Sequence, residues 1–216
     1  MKKTALIGAS GFVGSAILNE LLNRGYQVEA LVRNPEKVKV TAPGLIVKKV
    51  DVADTRALAE DLRGYDTVIS AYNPGWTNPD IYNLTLQNYP RILEAAREAG
   101  VKRLLIVGGA GTLFCAPGLR VVDSGAIPAE IMGGVKSLGE FYLNTLTTED
   151  GIDWVFFSPA GSLEPGAATG SYRLGKDDLI VDADGKSHIT VGDYAKAMVD
   201  ELETPAHHKE RFTIGY

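Results

Sequence analysis

Three glycines near the N-terminus have the spacing of a phosphate-binding turn. An apolar run from Thr4 leads into Gly8, Gly11 and Gly14, and an amphipathic segment follows. In such a turn the first glycine permits a tight bend, the second lets a pyrophosphate approach the backbone, and the third lets a helix pack closely on a sheet. The N–H groups that open this helix, and its positive dipole end, attract phosphate. The residues expected to contact a dinucleotide here are Gly8, Ala9, Ser10, Gly11, Phe12, Val13 and Gly14.

The end of the second predicted strand indicates which dinucleotide this is. Arg33 follows that strand, where an acidic residue would hydrogen-bond a ribose 2′-hydroxyl and an arginine accommodates a 2′-phosphate. A guanidinium fork matches phosphate oxygens well. The sequence therefore favours NADP(H), with NAD(H) as the alternative and a solvated loop arginine as the simpler interpretation. Asp51 ends the third strand, where it either meets the adenine edge or caps the next turn or helix.

The composition of the chain argues against nucleic-acid-binding, disulfide-bonded, zinc-binding and membrane-spanning proteins. A chain of 216 residues can build one sizeable core, and a net charge of −5 argues against nucleic-acid binding. Cys115 is the single cysteine, which excludes an internal disulfide and fits a reducing, cytoplasmic compartment. One cysteine and three histidines leave no zinc-site spacing, so no metal is expected. The chain has no apolar run approaching the ~20 residues of a membrane span, so no membrane partner is expected.

Apolar runs alternate with helical segments through the first 160 residues. Runs that are apolar throughout, such as 104–107, are typical of a parallel sheet covered on both faces. The alternation predicts an α/β protein with a Rossmann-like, doubly wound parallel sheet. The predicted strands are 3–8, 27–32, 45–50, 67–70, 102–107 and 152–157. The predicted helices are 12–24, 55–63, 80–99 and 129–149.

The composition changes from Ser158 onward. Segment 158–190 is rich in Gly, Pro and Asp, with strand-like pieces around Tyr172 and at 179–181, and a tight turn is expected at Asp184–Gly185. A short helix at 191–203 and a last strand at 211–214 close the chain. We expect a single NAD(P)-binding domain over 1–216, in which residues 158–216 form a small C-terminal cap on the substrate side.

These motifs resemble the extended and atypical short-chain dehydrogenase/reductase superfamily. The matching residues are the glycine triplet, Arg33, Asp51–Val52, Val68–Ala71 and Ala99–Gly108. Within it the chain looks like a subgroup described as NADH-flavin reductases or NAD(P)H-binding proteins. The marks of this subgroup are Val107–Thr112, Ala116–Gly118, Ser158–Ala160 and Tyr172–Gly175. The resemblance implies further cofactor contacts at Val52, Ala71, Tyr72, Gly108, Gly109, Lys136, Ser158 and Pro159.

The resemblance breaks at the proton donor. The family uses a Ser or Thr after the fifth strand and a Tyr-x-x-x-Lys pair, in which the lysine keeps the tyrosine ready to pass a proton. This chain keeps Lys136 and Glu140, but Met132 stands at the tyrosine position and Thr112 is the hydroxyl nearest to the serine-bearing turn. Lys136 and Thr112 are the remaining catalytic candidates. Alternatively, Lys136 is a solvated lysine that pairs with Glu140 at i, i+4.

An intact cofactor turn beside a missing acid indicates hydride transfer to a planar small-molecule acceptor, such as a flavin or quinone, that takes its proton from water. Tyr72–Trp76 could supply a platform for the acceptor, with Phe114 and Met132 as apolar lining. Two alternatives are a non-catalytic NADP(H)-binding redox sensor and a nucleotide-sugar epimerase or dehydratase. The predicted helices 80–99 and 129–149 are candidates for packing against a second copy of the chain in a homodimer.

Overall fold

The computed structural model describes residues 2–216, which form twelve strands and five α-helices. The strands are β1 (Lys3–Ile7), β2 (Gln27–Val32), β3 (Leu45–Lys49), β4 (Thr67–Ser70), β5 (Arg103–Val107), β6 (Phe114–Ala116), β7 (Leu119–Arg120), β8 (Asp153–Ser158), β9 (Ser162–Glu164), β10 (Arg173–Gly175), β11 (His188–Thr190) and β12 (Glu210–Gly215). The helices are α1 (Phe12–Asn23), α2 (Thr55–Leu62), α3 (Ile81–Glu98), α4 (Ala129–Asn144) and α5 (Val191–Glu203).

Eight of these strands form one sheet in the order β3-β2-β1-β4-β5-β8-β12-β10. Every neighbouring pair is parallel except β10 with β12. The chain moves outward from β1 to β3 and then returns to place β4 on the other side of β1. This reversal is the topological switch point at which doubly wound folds bind nucleotides, and it confirms the predicted Rossmann-like sheet.

Helices cover both faces of the sheet. One core contains residues of α2, α3 and α4, and the other contains residues of α1 and α5. In β5, Leu104 and Ile106 belong to the first core and Leu105 to the second, and all three are buried. The apolar run 104–107 of β5 is therefore stabilised from both sides of the sheet, as its sequence predicts.

Most predicted boundaries agree with the structure within one or two residues, and the glycines at helix ends explain why. Gly25 and Gly100 adopt φ of 76°, the left-handed conformation expected just after α1 and α3. The predicted helix 129–149 is too long, because α4 ends at Asn144 and residues 146–148 form a 3₁₀ turn. Here the Thr147 hydroxyl donates to the Leu143 carbonyl, a local bond that competes with continued helix.

Residues 158–216 divide between the main layers and the region beyond the strand ends. Strand β12 pairs with β8, and β10 extends the same sheet. Helix α5 packs against α1. Only β9 and β11, which pair with each other, and the loops around them lie outside the main sheet. The predicted cap therefore includes elements of the Rossmann core itself, and residues 179–181 are not a strand.

Candidate functional site

The glycine turn after β1 has the close packing that its spacing predicts. Gly8 has φ of 81°, and a Cβ there would lie 2.5 Å from the Ala71 carbonyl oxygen. A Cβ on Gly14 would lie 2.1 Å from the Gly8 carbonyl oxygen. Both contacts are far inside van der Waals distance, and both involve backbone that cannot move aside cheaply. Gly8 is therefore required by the close approach of the chain after β4, and Gly14 by the close packing of α1 on the glycine turn.

Gly11 differs from these two glycines, because the protein does not fill the space beside it. A Cβ on Gly11 would meet only the Gly8 carbonyl oxygen, at an ordinary 3.5 Å. Gly11 lies directly before α1, and the first turn of that helix contains no acidic residue. The first N–H groups of a helix have no intrahelical partners. The open space and the free N–H groups together fit a diphosphate that approaches the backbone at this point.

A cavity of about 480 Å³ opens beside this turn, at the carboxyl ends of β4, β5 and β8. Its walls also include the start of α1 and one face of α4. This is the position at which Rossmann proteins hold the reactive end of their cofactor. The structure brings ten of the predicted cofactor and catalytic residues together on these walls: Gly11, Phe12, Val13, Gly14, Ala71, Tyr72, Gly108, Gly109, Thr112 and Pro159.

A second cavity, also of about 480 Å³, lies on the other side of the glycine turn. Ala9 and Ser10 line it together with Lys37 and Lys39. Arg33 is exposed at the end of β2 and does not line either cavity. Lys37 and Lys39 therefore share a cavity wall with the glycine turn, whereas the charge of Arg33 acts on Tyr72, which lines the first cavity.

Three other predicted residues have structural partners of their own. Asp51 Oδ1 accepts a hydrogen bond from the Ala53 N–H at 3.0 Å, which is the turn-capping alternative of its two predicted roles. Val52 is half-buried against the core. Ser158 is buried, and its hydroxyl donates to the Gly109 carbonyl at 2.9 Å. This bond ties the end of β8 to the turn after β5.

Lys136 is exposed, and it does not lie on the cavity wall. The α4 residues that face the cavity are Ile131, Gly134, Val135, Leu138 and Gly139, which recur every three or four positions on one side of the helix. The expected pairing of Lys136 with Glu140 is wrong. Among residues 2–216 no ion pair joins them, because Glu140 instead accepts a hydrogen bond from the Tyr82 hydroxyl at 2.6 Å. The ribose contact of Lys136 stays a prediction.

The two phenols on the cavity wall are engaged in internal hydrogen bonds. Burial raises the pKa of Tyr72, although the hydrogen bond from Asn88 and the nearby Arg33 act in the opposite direction. Asn88 Nδ2 donates to Tyr72 Oη at 2.7 Å, and Tyr89 donates its hydroxyl proton to the Tyr72 carbonyl at 2.7 Å. Both phenols are thus neutral at physiological pH, and the hydroxyl proton of Tyr89 is already used in the hydrogen bond to the Tyr72 carbonyl. Neither residue has the arrangement of the family's missing tyrosine.

Thr112 is held by a pair of residues that sequence reasoning missed. Arg211 Nη1 donates to Thr112 Oγ1 at 2.7 Å, and Asp177 accepts from the Nε and Nη2 of the same guanidinium at 3.1 and 2.6 Å. The guanidinium also lies over the Tyr142 ring, 4.9 Å from its centroid. Because Thr112 Oγ1 accepts a charged hydrogen bond, its own proton is polarised for donation elsewhere.

The apolar lining only partly follows the expectation. Trp76 lines the cavity, as do Tyr72, Asn73 and Gly75 of the same loop. The prediction that Phe114 and Met132 supply apolar lining for the acceptor is wrong. Phe114 lies in the β6–β7 hairpin, where the Arg120 guanidinium sits 5.7 Å from its ring centroid, and Met132 is not among the α4 residues that line the cavity. The missed apolar residues on the wall include Val121, Ile127, Ile131, Val135 and Leu138.

Charge is concentrated away from this cavity. Among the described residues that line it, none has a charged side chain. Residues 2–216 also contain no group of three or more His, Cys, Asp or Glu side chains placed to hold a metal ion. Within the same residues, no helix has both the length and the apolar character needed to cross a bilayer.

A parallel sheet with its switch point at β1 and β4, and a glycine turn that opens α1, define a Rossmann nucleotide-binding protein. The sequence model of the NAD(P)H-binding family matches residues 8–205, and the chain belongs to that family. It is an atypical member of the short-chain dehydrogenase/reductase superfamily and takes a nicotinamide cofactor.

Known relatives share nearly the whole chain. YwnB of Bacillus subtilis, an uncharacterised protein, is 40% identical over 98% of this chain and 97% of its own. A provisionally assigned epimerase from Bacteroides thetaiotaomicron is 60% identical, with a TM-score of 0.95 over 100% of this chain and 97% of its own. A provisionally assigned NADH-flavin reductase from Streptococcus pneumoniae is 33% identical, with a TM-score of 0.84 over 100% and 99%.

Proposed function

We propose that the protein is an NADPH-dependent reductase of a planar acceptor such as a flavin or a quinone. The observation that carries this proposal is an intact phosphate-binding turn that opens directly onto an uncharged, largely apolar cavity of about 480 Å³. The cavity wall contributed by α4 has no tyrosine at the family's position, which disfavours alcohol and ketone chemistry. The assignment of the Streptococcus pneumoniae relative as an NADH-flavin reductase supports the same class of acceptor.

The second cavity supports NADP(H) over NAD(H). Lys37, Lys39 and Ser10 line it beside the start of α1, and Arg33 is exposed directly after β2. Lys39 Nζ donates to the Glu36 carbonyl at 2.9 Å, which holds its charge near the turn. A ribose 2′-phosphate placed between these cations would be stabilised, whereas a 2′-hydroxyl would gain little.

Different parts of the chain would hold the cofactor, position the acceptor and assist proton transfer. The N–H groups of residues 12–14 would hold the diphosphate, and the cavity between Tyr72 and Gly109 would receive the nicotinamide end. Bound NADPH supplies the hydride. The apolar walls, including Leu138 and Phe156, position the acceptor and exclude bulk water. Thr112 donates a hydrogen bond to an acceptor oxygen, and water delivers the proton when the product leaves.

Stopped-flow spectroscopy tests this proposal. The protein is mixed with NADPH and a panel of free flavins and quinones, and the loss of nicotinamide absorbance is followed. Oxidation of NADPH at a rate proportional to protein concentration is the expected result. Rates equal to the buffer background for every acceptor would end the proposal.

A non-catalytic NADP(H) sensor is the second candidate, and the engaged phenols of Tyr72 and Tyr89 favour it. Tight cofactor binding that depends on oxidation state, without turnover of any acceptor, would support this function over the first. The name of the Bacteroides thetaiotaomicron relative raises a third candidate, an epimerase. Met132 at the tyrosine position and the uncharged cavity argue against a nucleotide-sugar substrate, because such a substrate brings its own diphosphate.

A further inference from the structure

Trp76 and Gly134 form a contact that shapes the acceptor end of the cavity. Both residues line the cavity, and the six-membered ring of the indole lies against the Cα of Gly134. A Cβ on Gly134 would be 2.8 Å from Trp76 Cζ3 and 2.7 Å from Ile81 Cδ1. The indole can therefore lie across α4 only because this position has no side chain.

The neighbouring glycine provides an internal comparison. A Cβ on Gly133 would meet Ile81 Cγ2 at 3.5 Å and Tyr82 Cβ at 3.9 Å, which are ordinary contacts. Gly133 does not line the cavity. Two consecutive glycines weaken a helix by about 1 kcal/mol each relative to alanine. Packing does not require Gly133, whereas Gly134 is required by the position of Trp76.

The indole is half exposed on the cavity wall. Trp76 is 50% exposed, although it is among the largest apolar side chains in the protein. Aromatic faces attract other flat ring systems in offset-stacked or edge-to-face arrangements. An exposed indole on the wall of a cavity is therefore a suitable platform for a planar ligand.

The charge of the walls restricts that ligand further. Among the described residues that line the cavity none is charged, and Val121, Ile127 and Ile131 make much of its surface apolar. Apart from the helix N–H groups that would hold the cofactor's diphosphate, this space offers no cationic side chain to replace the hydration of a sulfonate, phosphate or carboxylate. The cavity favours a ring system that is neutral over its whole buried part.

We propose that the acceptor is an uncharged planar ring system that stacks on Trp76, and that Gly134 allows the indole to take the position this stacking needs. The proposal rests on the proposed function and names the class of acceptor. The ring system gains a hydride with its two electrons from NADPH and one proton from water, which leaves NADP⁺, hydroxide and the reduced ring. Neutral quinones and flavins without a phosphate belong to this class.

Calorimetric titration of the NADP⁺-bound protein tests the proposal without turnover. The ligands are naphthoquinone and naphthoquinone sulfonate, which differ by one charge on the ring. We expect the neutral ligand to bind about 100-fold more tightly, since the sulfonate would be buried without a partner. Quenching of tryptophan fluorescence by the neutral ligand in the wild type, and its loss in Trp76→Phe, would locate the ligand at the indole.

Two glycine variants complete the test. Gly134→Ala displaces the indole and should weaken naphthoquinone binding about tenfold, while Gly133→Ala should leave it unchanged. If Gly134→Ala fails to fold, Trp76→Ala removes the platform without a clash and should give the same loss. Equal affinities for the two ligands, or equal effects of the two glycine variants, would overturn the proposal.

The two proposals fail in distinguishable ways. Absence of NADP⁺ binding in a separate titration would contradict the proposed function. In that case the preference for a neutral ring on Trp76 is measured on the free protein with the same ligands. Tight NADP⁺ binding without any preference for the neutral ring would remove only the specificity proposal.

Discussion

Arg211 and Thr112 are joined by a hydrogen bond of 2.7 Å, although they lie 99 positions apart in the chain. Arg211 belongs to β12, near the C-terminal edge of the sheet, whereas Thr112 belongs to the turn after β5 that lines the cavity. Asp177 holds the other side of the guanidinium at 2.6 Å. A buried cation thereby connects the cavity wall to the last strand of the fold.

Thr112→Val should reveal this connection in the free energy of unfolding. Valine has a similar shape but cannot accept the bond, which leaves Arg211 Nη1 buried without that partner. We expect a loss of about 1–3 kcal/mol, measured by urea denaturation. Thr112→Ser keeps the hydroxyl and should lose much less. Equal stability of the valine variant and the wild type would contradict a structural role for the bond.

Gly11→Ala and Gly14→Ala should separate binding from folding. On Gly11 a Cβ meets only one atom, at 3.5 Å, so the stability should stay within about 0.5 kcal/mol of the wild type. The same variant should lose cofactor affinity by about 100-fold, because the methyl group occupies the path of the diphosphate.

Gly14→Ala should instead lower the stability of the protein. A Cβ there would lie 2.1 Å from the Gly8 carbonyl oxygen, so α1 must move away from the sheet. We expect a loss of about 1–3 kcal/mol in unfolding free energy, with cofactor binding weakened as a consequence. Calorimetry with NADP⁺ and urea denaturation of both variants measure the two effects. A Gly11→Ala protein that binds NADP⁺ like the wild type would show that the diphosphate lies elsewhere.

The layers of the fold could be predicted from the sequence because their signals are local. Runs such as Leu104–Val107 are apolar at every position, and Gly25 and Gly100 mark the helix ends that they cap. Pro117–Gly118 is a local signal that could have identified the β6–β7 hairpin, since Gly118 adopts φ of 72° in its turn. Strands β9 and β11 have only three residues each and pair across a long separation, which leaves no periodic pattern to detect.

The candidate site could be predicted only where it follows a strand or opens a helix. The glycine turn follows from this rule. Residues 108–109, which the family resemblance implied, lie at the same edge because the carboxyl ends of parallel strands meet there. The Arg211–Asp177 pair and the Trp76–Gly134 contact depend on side chains that meet only after folding. Phe114 was misplaced for a similar reason, because the hairpin after β5 turns its ring toward Arg120 and not toward the cavity.

Cofactor choice should depend on the cations that follow β2. Arg33→Ala and Lys37→Ala should each weaken NADPH binding about tenfold and leave NADH binding almost unchanged, because only NADPH has the 2′-phosphate. Arg56→Ala is the matched control, since Arg56 is exposed on α2 and lines neither cavity. Calorimetric titrations with both cofactors measure the difference. Equal losses for NADPH and NADH in the Arg33 variant would place this arginine away from the 2′ position.

Asp193 should make the stability of the C-terminal region depend on pH. Burial raises the pKa of this carboxyl, but hydrogen bonds donated by Tyr216, Thr169 and Gly170 outweigh it, so its pKa lies below the usual value. A carboxyl with a lowered folded-state pKa stabilises the protein above its unfolded pKa of about 4, and the contribution is lost as the pH falls through the folded value.

Asp193→Asn removes this titration while keeping the shape of the side chain. We expect the variant to be less stable than the wild type by about 1–3 kcal/mol at neutral pH, because the amide accepts fewer of these hydrogen bonds. The difference should shrink as the pH falls below about 4, where the carboxyl of the unfolded wild-type chain takes up a proton, and it should vanish as the pH passes through the lower folded-state pKa. Urea denaturation of both proteins across the acid range measures the difference. A constant difference at every pH would show that the carboxylate charge contributes nothing to the bonds that hold Tyr216.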